Sequence, residues 1–246
     1  MKYLRKIFTT MALMTIFSVS VFAKSGFEFH YNALLGVGVS FPTTSMKDMG
    51  FKSDIGFDGT GLFQIGYMRQ VKEGFGISYL LELGYNFSSY AISGKPDFNI
   101  IISDMFVVGN LGIPNDISIT LDFTFYNIQI GLFPKFNFGN FSIGIGGGIK
   151  IPVIGEMSVT ATALNIEETR KLSRTDIVDI FNPPIFGYVK TSLAYSFYLT
   201  DKIALDVGLY LSYDIMQFIN EGGKDEYGGT LNTGIIFGLK FGGKVD

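Results

Sequence analysis

The chain of 246 residues has no cysteine, no tryptophan and a single histidine, His30. Without thiols there is no disulfide scaffold, no thiolate metal site and no acylated lipoprotein cysteine. One imidazole excludes a multi-histidine metal centre, and a histidine-dependent hydrolase would have to use His30 itself. Charge is scarce too, at 17% Asp, Glu, Lys and Arg against a usual quarter of about 25%. Long apolar runs are missing except at the N-terminus, where Lys2, Arg5 and Lys6 precede an apolar stretch from Ile7 to about Val21. Val21 and Ala23 then offer a cleavage site, which predicts a secretory signal peptide over residues 1–23 and a mature chain of 24–246. An uncleaved anchor would need around 20 apolar residues, and Thr9, Thr10, Ser18 and Ser20 interrupt this run.

Removing the leader leaves 16 basic against 22 acidic residues, a balance of −6. Neither a nucleic-acid partner nor a polybasic membrane contact fits that sign. What the chain does have is 31 Gly, 25 Phe and 13 Tyr, and a positive mean hydropathy of +0.32. These residues are arranged with a period of two. The clearest stretch sets Phe75, Ile77, Tyr79, Leu81, Leu83, Tyr85 and Phe87 on one face, with Gly76, Ser78, Glu82, Gly84, Asn86 and Ser88 opposite. Such alternation places the two sets on opposite sides of a β-sheet.

The same pattern recurs over 27–41, about 57–70, 117–138, 141–153, about 185–199, 203–213 and 231–241, predicting eight strands in all. Connectors alternate in length. Val71 to Gly74, Gly139 to Asn140 and Thr200 to Lys202 are short enough for tight turns, whereas 42–56, 89–116, 154–184 and 216–228 are long. Within the fourth stretch the apolar phase changes from Ile119, Leu121 and Phe123 to Tyr126, Ile128 and Ile130, which predicts a β-bulge near Phe125.

The polar face carries Glu28, Glu82, Lys150, Lys190, Asp206, Asp214 and Lys240, while the apolar face carries only Arg69, at a strand end. The Phe, Tyr, Ile and Leu of eight strands are too voluminous for an eight-stranded lumen, which the Gly-rich polar face fits. The sequence therefore predicts a closed, antiparallel, up-and-down transmembrane β-barrel with short periplasmic turns and long external loops, in the bacterial outer membrane. Phe27, Phe29, Phe136, Phe138, Phe141 and Phe197 read as one aromatic girdle, and Phe41, Phe87, Tyr90 and Tyr213 as the other.

In this pattern, residues 27–241 resemble the small outer-membrane barrel family of the OmpA membrane domain and OmpX. Asn232, Gly234, Phe237, Leu239 and Phe241 are similar to that family's C-terminal signal for the barrel-assembly machinery, here followed by five further residues.

The seven lumen charges read as an internally paired plug; the alternative is a narrow passive porin-like channel lined by Glu82, Lys150, Lys190 and Asp206. Inward Leu34, Leu62, Met68, Leu80 and Ile236 contrast with more polar positions such as Tyr198 and Tyr210, as core packing or an amphiphile pocket would require. His30 reads as a hydrogen-bonded filler. Used with Ser78 it would instead serve a lipid-modifying enzyme, and a lipocalin-like carrier is a further alternative. The glycines at 144 and 146–148 lack a following helix and phosphate-binding lysine, so they read as barrel curvature. No cofactor or metal motif is present, and no enzymatic role is expected.

The external loops are where function is expected, as a structural or surface-interaction role. Loop 89–116 is unusually apolar, with Ile100, Ile101, Ile102, Phe106, Val107 and Val108; loop 154–184 carries Glu167, Glu168, Arg170, Lys171, Arg174, Asp176 and Asp179. Either offers an extracellular partner site. Ser173 with Asp176 predicts the capped start of a short helix that Pro183 ends.

Overall fold

A computed structural model describes residues 25–95, 118–161, 166–181, 183–219 and 225–244. The predicted signal peptide and the apolar segment at 100–108 lie outside the described residues. In chain order the elements are β1 (Gly26–Phe41), α1 (Thr44–Asp48), β2 (Phe51–Ser53), β3 (Ile55–Lys72), β4 (Phe75–Gly94), β5 (Ile119–Phe138), β6 (Phe141–Ala161), β7 (Ile166–Leu172), α2 (Arg174–Ile180), β8 (Phe186–Thr200), β9 (Ile203–Ile219) and β10 (Asp225–Phe241).

Eight strands close a ring in the order β4, β3, β1, β10, β9, β8, β6, β5 and back to β4, every pairing antiparallel. The short strand β2 pairs with β4 and β7 pairs with β6 outside that circuit. Closure gives every ring strand a partner on each side, which is the only β arrangement that satisfies backbone N–H and C=O groups in hydrocarbon. The first and last ring strands meet from Phe29↔Phe241 to Phe41↔Gly229.

Alternation sorts the side chains by polarity. Tyr79 and Leu132 are 60% and 67% exposed on the outside, while Glu82 and Asp206 are 0% and 1% exposed within. An exterior of contiguous Leu, Ile, Phe and Tyr with a charged interior is the inverse of a soluble barrel, and it makes this a transmembrane one. At one end, Glu73–Gly74, Gly139–Asn140 and Asp201–Lys202 turn the chain tightly. Gly74 and Gly139 adopt φ of 71° and 57°, a left-handed conformation that a Cβ would strain. Phe75–Phe138 and Tyr195–Phe197 contacts, with ring centroids 5.1 and 4.8 Å apart, belt this end, and Phe87–Tyr126 at 5.4 Å lies toward the other.

The strands outrun the bilayer. At ~3.3 Å per residue, the 20 residues of β4 reach far beyond the 9–11 residues that a tilted membrane strand needs. All four predicted long loops are therefore shorter than their sequence bounds: β3 already starts at Ile55, β4 continues to Gly94, β6 to Ala161 and β9 to Ile219.

Two sequence expectations change here. The register of β4 on β5 runs unbroken from Phe75↔Phe138 to Gly94↔Ile119, so β5 has no slip near Phe125. The irregularity lies on β6, where Tyr126 pairs with Ile154 and Asn127 with Pro152, leaving Val153 as the extra residue. Phe123 and Phe125 face inward in unbroken phase because the interior itself turns apolar at this level. Tyr90 is likewise not part of a girdle: it is 2% exposed and points into that apolar interior.

Candidate functional site

The interior is stratified, and the seven predicted charges, Glu28, Glu82, Lys150, Lys190, Asp206, Asp214 and Lys240, are all buried in it. They divide into three groups along the barrel. Nearest the tight turns, His30 of β1 sits between two carboxylates, its Nδ1 3.2 Å from Asp206 Oδ2 and its Nε2 3.5 Å from Glu28 Oε2. Lys135 of β5 approaches Asp206 at 3.7 Å, Lys240 of β10 approaches Glu28 at 3.6 Å, and the Ser196 hydroxyl donates to Asp206 at 2.6 Å. The Ser78 hydroxyl instead accepts from Asn137 at 2.8 Å.

In the second group, Lys190 of β8 donates to both oxygens of Glu82 on β4, at 2.8 and 3.0 Å. Gln64 and Tyr188 complete the carboxylate's shell at 2.6 and 2.9 Å. The third group joins Lys150 of β6 to Asp214 of β9 at 2.6 Å, with Asp58 of β3 at 3.9 Å. Tyr210 donates to Asp58 at 2.7 Å and Asn232 to Asp214 at 3.1 Å. Buried ions are tolerable only with such partners, because desolvation costs several kcal/mol per ion.

Asp58, Lys135, Tyr188 and Tyr210 belong to this network although they were not among the seven. Alternation from Gln129 through Gly131 already puts Lys135 inward. Of the inward apolar positions, Leu34, Leu62 and Ile236 pack with Tyr210 as a small cluster. Two voids beside Lys190, of about 20 and 10 Å³, have room for roughly a water molecule each.

Above the third group lies an apolar lid. Phe51, Tyr90, Ile92, Phe123, Phe125, Met157, Leu172, Ile177, Phe181, Phe186, Met216 and Phe218 form one buried cluster, with Met46 and Met49 packed against it. The interior is thus filled by polar pairs in its lower part and by a hydrophobic core at its loop end, where polar side chains alone were expected. Phe181, fully buried, contacts Phe218 and Phe186 at centroid distances of 4.7 and 5.1 Å. The buried Tyr90 ring keeps its hydroxyl satisfied by donating to Phe41 O at 3.0 Å.

α2 brings Ile177 and Phe181 into this lid, and its start is the predicted one. Ser173 N donates to Asp176 Oδ2 at 2.7 Å while Asp176 N donates to Ser173 Oγ at 3.2 Å, a reciprocal capping box. The Ser173 hydroxyl and then its backbone N–H hold the Asp176 carboxyl below the usual aspartate range. Glu167, Glu168, Arg170 and Lys171 of the same predicted loop are exposed on β7, with Arg170 reaching Asp176 at 2.9 Å. Of the predicted assembly signal, Asn232 points inward, Gly234 lets β10 lie close to the Leu35 backbone, and Phe237, Leu239 and Phe241 face outward.

No family model matches the sequence, and no curated protein matches it. Solved structures with a similar fold include Neisserial surface protein A, at 12% identity and a TM-score of 0.36, covering 89% of this chain and 98% of that one. The attachment invasion locus protein Ail of Yersinia pestis matches at 13% identity and 0.29, covering 86% and 98%. The outer membrane protease OmpT of Escherichia coli matches at 12% and 0.33, covering 88% and 96%.

Proposed function

We propose that this protein is a bacterial outer-membrane barrel, exported through the signal peptide at 1–23, with a shut lumen and a structural or surface-interaction role exercised by its loop end. The observation that carries the proposal is the twofold filling of the interior: ion pairs such as Glu82–Lys190 below, and the Phe181-centred apolar cluster above. A barrel filled in this way has little left to offer as a conduit, while strands that rise past the bilayer give the outer end a rigid wall on which to present residues. Tight turns and both ring-closing termini then face the periplasm. The pattern Asn232, Gly234, Phe237, Leu239, Phe241 supports delivery by the barrel-assembly machinery, with outer-membrane lipid against the apolar wall.

A channel lined by Glu82, Lys150, Lys190 and Asp206 would need those groups free to exchange partners with a passing ion, and each is engaged within 2.8 Å of another side chain. Planar-bilayer recording on the purified protein is the test. The expected trace is silent; sustained single-channel conductance from the wild-type protein would overturn the closed-lumen reading.

A further inference from the structure

The strand β7 has β6 on one side and, among the described residues, no strand on the other. It stands at the loop end, paired with β6 from Gly155↔Leu172 to Ala161↔Ile166, and residues 167–171 are all exposed. An open edge of this kind presents unpaired N–H and C=O groups that can accept another strand. The sequence along it is Glu167-Glu168-Thr169-Arg170-Lys171. Charge reverses sign about Thr169: two acids precede it and two bases follow it at matching distances.

That antisymmetry makes the edge complementary to itself. If a second β7 lies antiparallel with Thr169 opposite Thr169, Glu168 falls opposite Arg170 and Glu167 opposite Lys171, and the same pairs recur on the other side of the twofold. Directly opposite residues share a face of the sheet, so each pair joins opposite charges, and the centre is a Thr–Thr pair; all three are favourable cross-strand combinations. A homotypic contact with residue i on j and j on i is an isologous interface. Moving the twofold by one residue breaks the match, setting Glu168 against Glu168 or Arg170 against Arg170.

Membrane geometry then fixes where the second copy is. Two barrels in one bilayer are related by an axis along the membrane normal, and strands tilted by about 35–45° would cross at roughly 70–90° instead of pairing. Antiparallel β7 strands require the second barrel to be inverted, which places it in an opposing membrane. We infer that β7 is a self-recognition edge through which copies of this protein in two facing membranes join by antiparallel strand addition. The inference rests on the reading of the loop end as an external interaction surface. One five-residue charged contact is small, so single copies bind weakly and many copies between two surfaces bind through avidity. Arg170 leaves its exposed pair with Asp176 to form the new one, an exchange with little penalty between solvated groups.

The test uses the full chain reconstituted in vesicles at many copies per vesicle. Wild-type proteovesicles tether, read as a rise in turbidity, and the rise shrinks as salt screens the four charge pairs. Vesicles with E167K/E168K, and separately vesicles with R170E/K171E, remain at the turbidity of protein-free vesicles. Mixing those two populations restores tethering, because every opposing pair is again of opposite sign. Far-UV circular dichroism of each variant reports whether the barrel is intact. Intact variants that each tether like wild type, failure of the mixture to recover, or wild-type vesicles that never tether would each overturn the inference while leaving the closed-barrel reading untouched. Conductance across the same wild-type vesicles would instead defeat that reading, whatever the turbidity does.

Discussion

Lys190 on β8 holds both oxygens of Glu82 on β4, at 2.8 and 3.0 Å, across the barrel interior and 108 residues apart in sequence. Neither strand neighbours the other in the ring, so the pair ties opposite walls together through the lumen. Both side chains are nearly inaccessible, at 5% and 0% exposure. The pair is therefore a strut, and its value lies in what happens when one half is missing.

Lys190→Met leaves Glu82 charged and buried with only Gln64 and Tyr188 to hold it, at an expected cost of about 3–5 kcal/mol. Glu82→Gln leaves Lys190 in the mirror position and should cost a similar amount. The double variant E82Q/K190M removes both charges together and should recover much of the loss. Urea unfolding from detergent micelles, followed by circular dichroism, measures all three; a double variant as unstable as the sum of the singles would contradict the pairing.

Gly131 is where a small residue protects that strut. A Cβ there would meet the Tyr188 hydroxyl and come within 2.8 Å of Gly147 O, pushing Tyr188 off Glu82. Gly131→Ala should thus cost at least the about 1.5–3 kcal/mol of a hydrogen bond to a charged group. Tyr188→Phe removes the same hydrogen bond by another route, so the two changes together should cost clearly less than their sum. Strict additivity in the same urea assay would show that Gly131 serves only backbone approach.

How far the sequence reached depends on contrast between the two faces of a strand. Through the bilayer the outside is hydrocarbon and the inside polar, so Leu81, Leu83 and Tyr85 stand out against Glu82, Gly84 and Asn86, and the ring of eight was legible. At the loop end the interior becomes apolar too. Tyr90, Ile92, Phe123 and Phe125 are inward there, and the alternation that located Glu82 makes them look like a girdle and a bulge. Asp58 escaped for another reason: Gly59 and Gly61 interrupt the outward apolar row between Phe57 and Phe63, which weakens the alternation at that point. Which lysine meets which carboxylate is set by reach across the lumen, and strand patterns carry no record of that.

The capping box gives α2 a pH dependence with a defined sign. Hydrogen bonds from Ser173 lower the carboxyl pKa of Asp176 in the folded protein, so the ionised form is the one that α2 favours. Its contribution is complete above the unfolded aspartate value of about 3.9, and it fades as pH falls through the lower folded value. The chain has no cysteine, so Val178→Cys, at an exposed site on α2, takes a single environment-sensitive dye. Dye emission should shift as pH drops below about 4 and be flat over that range in Asp176→Asn. A transition unchanged by Asp176→Asn would assign it to another group.

Removing the Phe181 ring tests whether the lid and the ion pairs close the barrel independently. Phe181 is fully buried among Phe125, Phe186 and Phe218, and truncating such a ring costs about 3–5 kcal/mol of local packing. Phe181 ties α2 to a lid whose other residues come from β2, β7 and the ring strands, so α2 and its bridge to Phe218 on β9 lose their anchor, whereas the eight-strand ring keeps its full set of ladder pairs. Phe181→Ala should accordingly speed protease cleavage between β7 and β8 while the heat-sensitive gel mobility of the folded barrel stays as in wild type. Bilayers should remain silent, because Glu82–Lys190 and Asp214–Lys150 still fill the section below. Conductance appearing in Phe181→Ala alone would make the lid the sole barrier and reduce the buried charges to a lining.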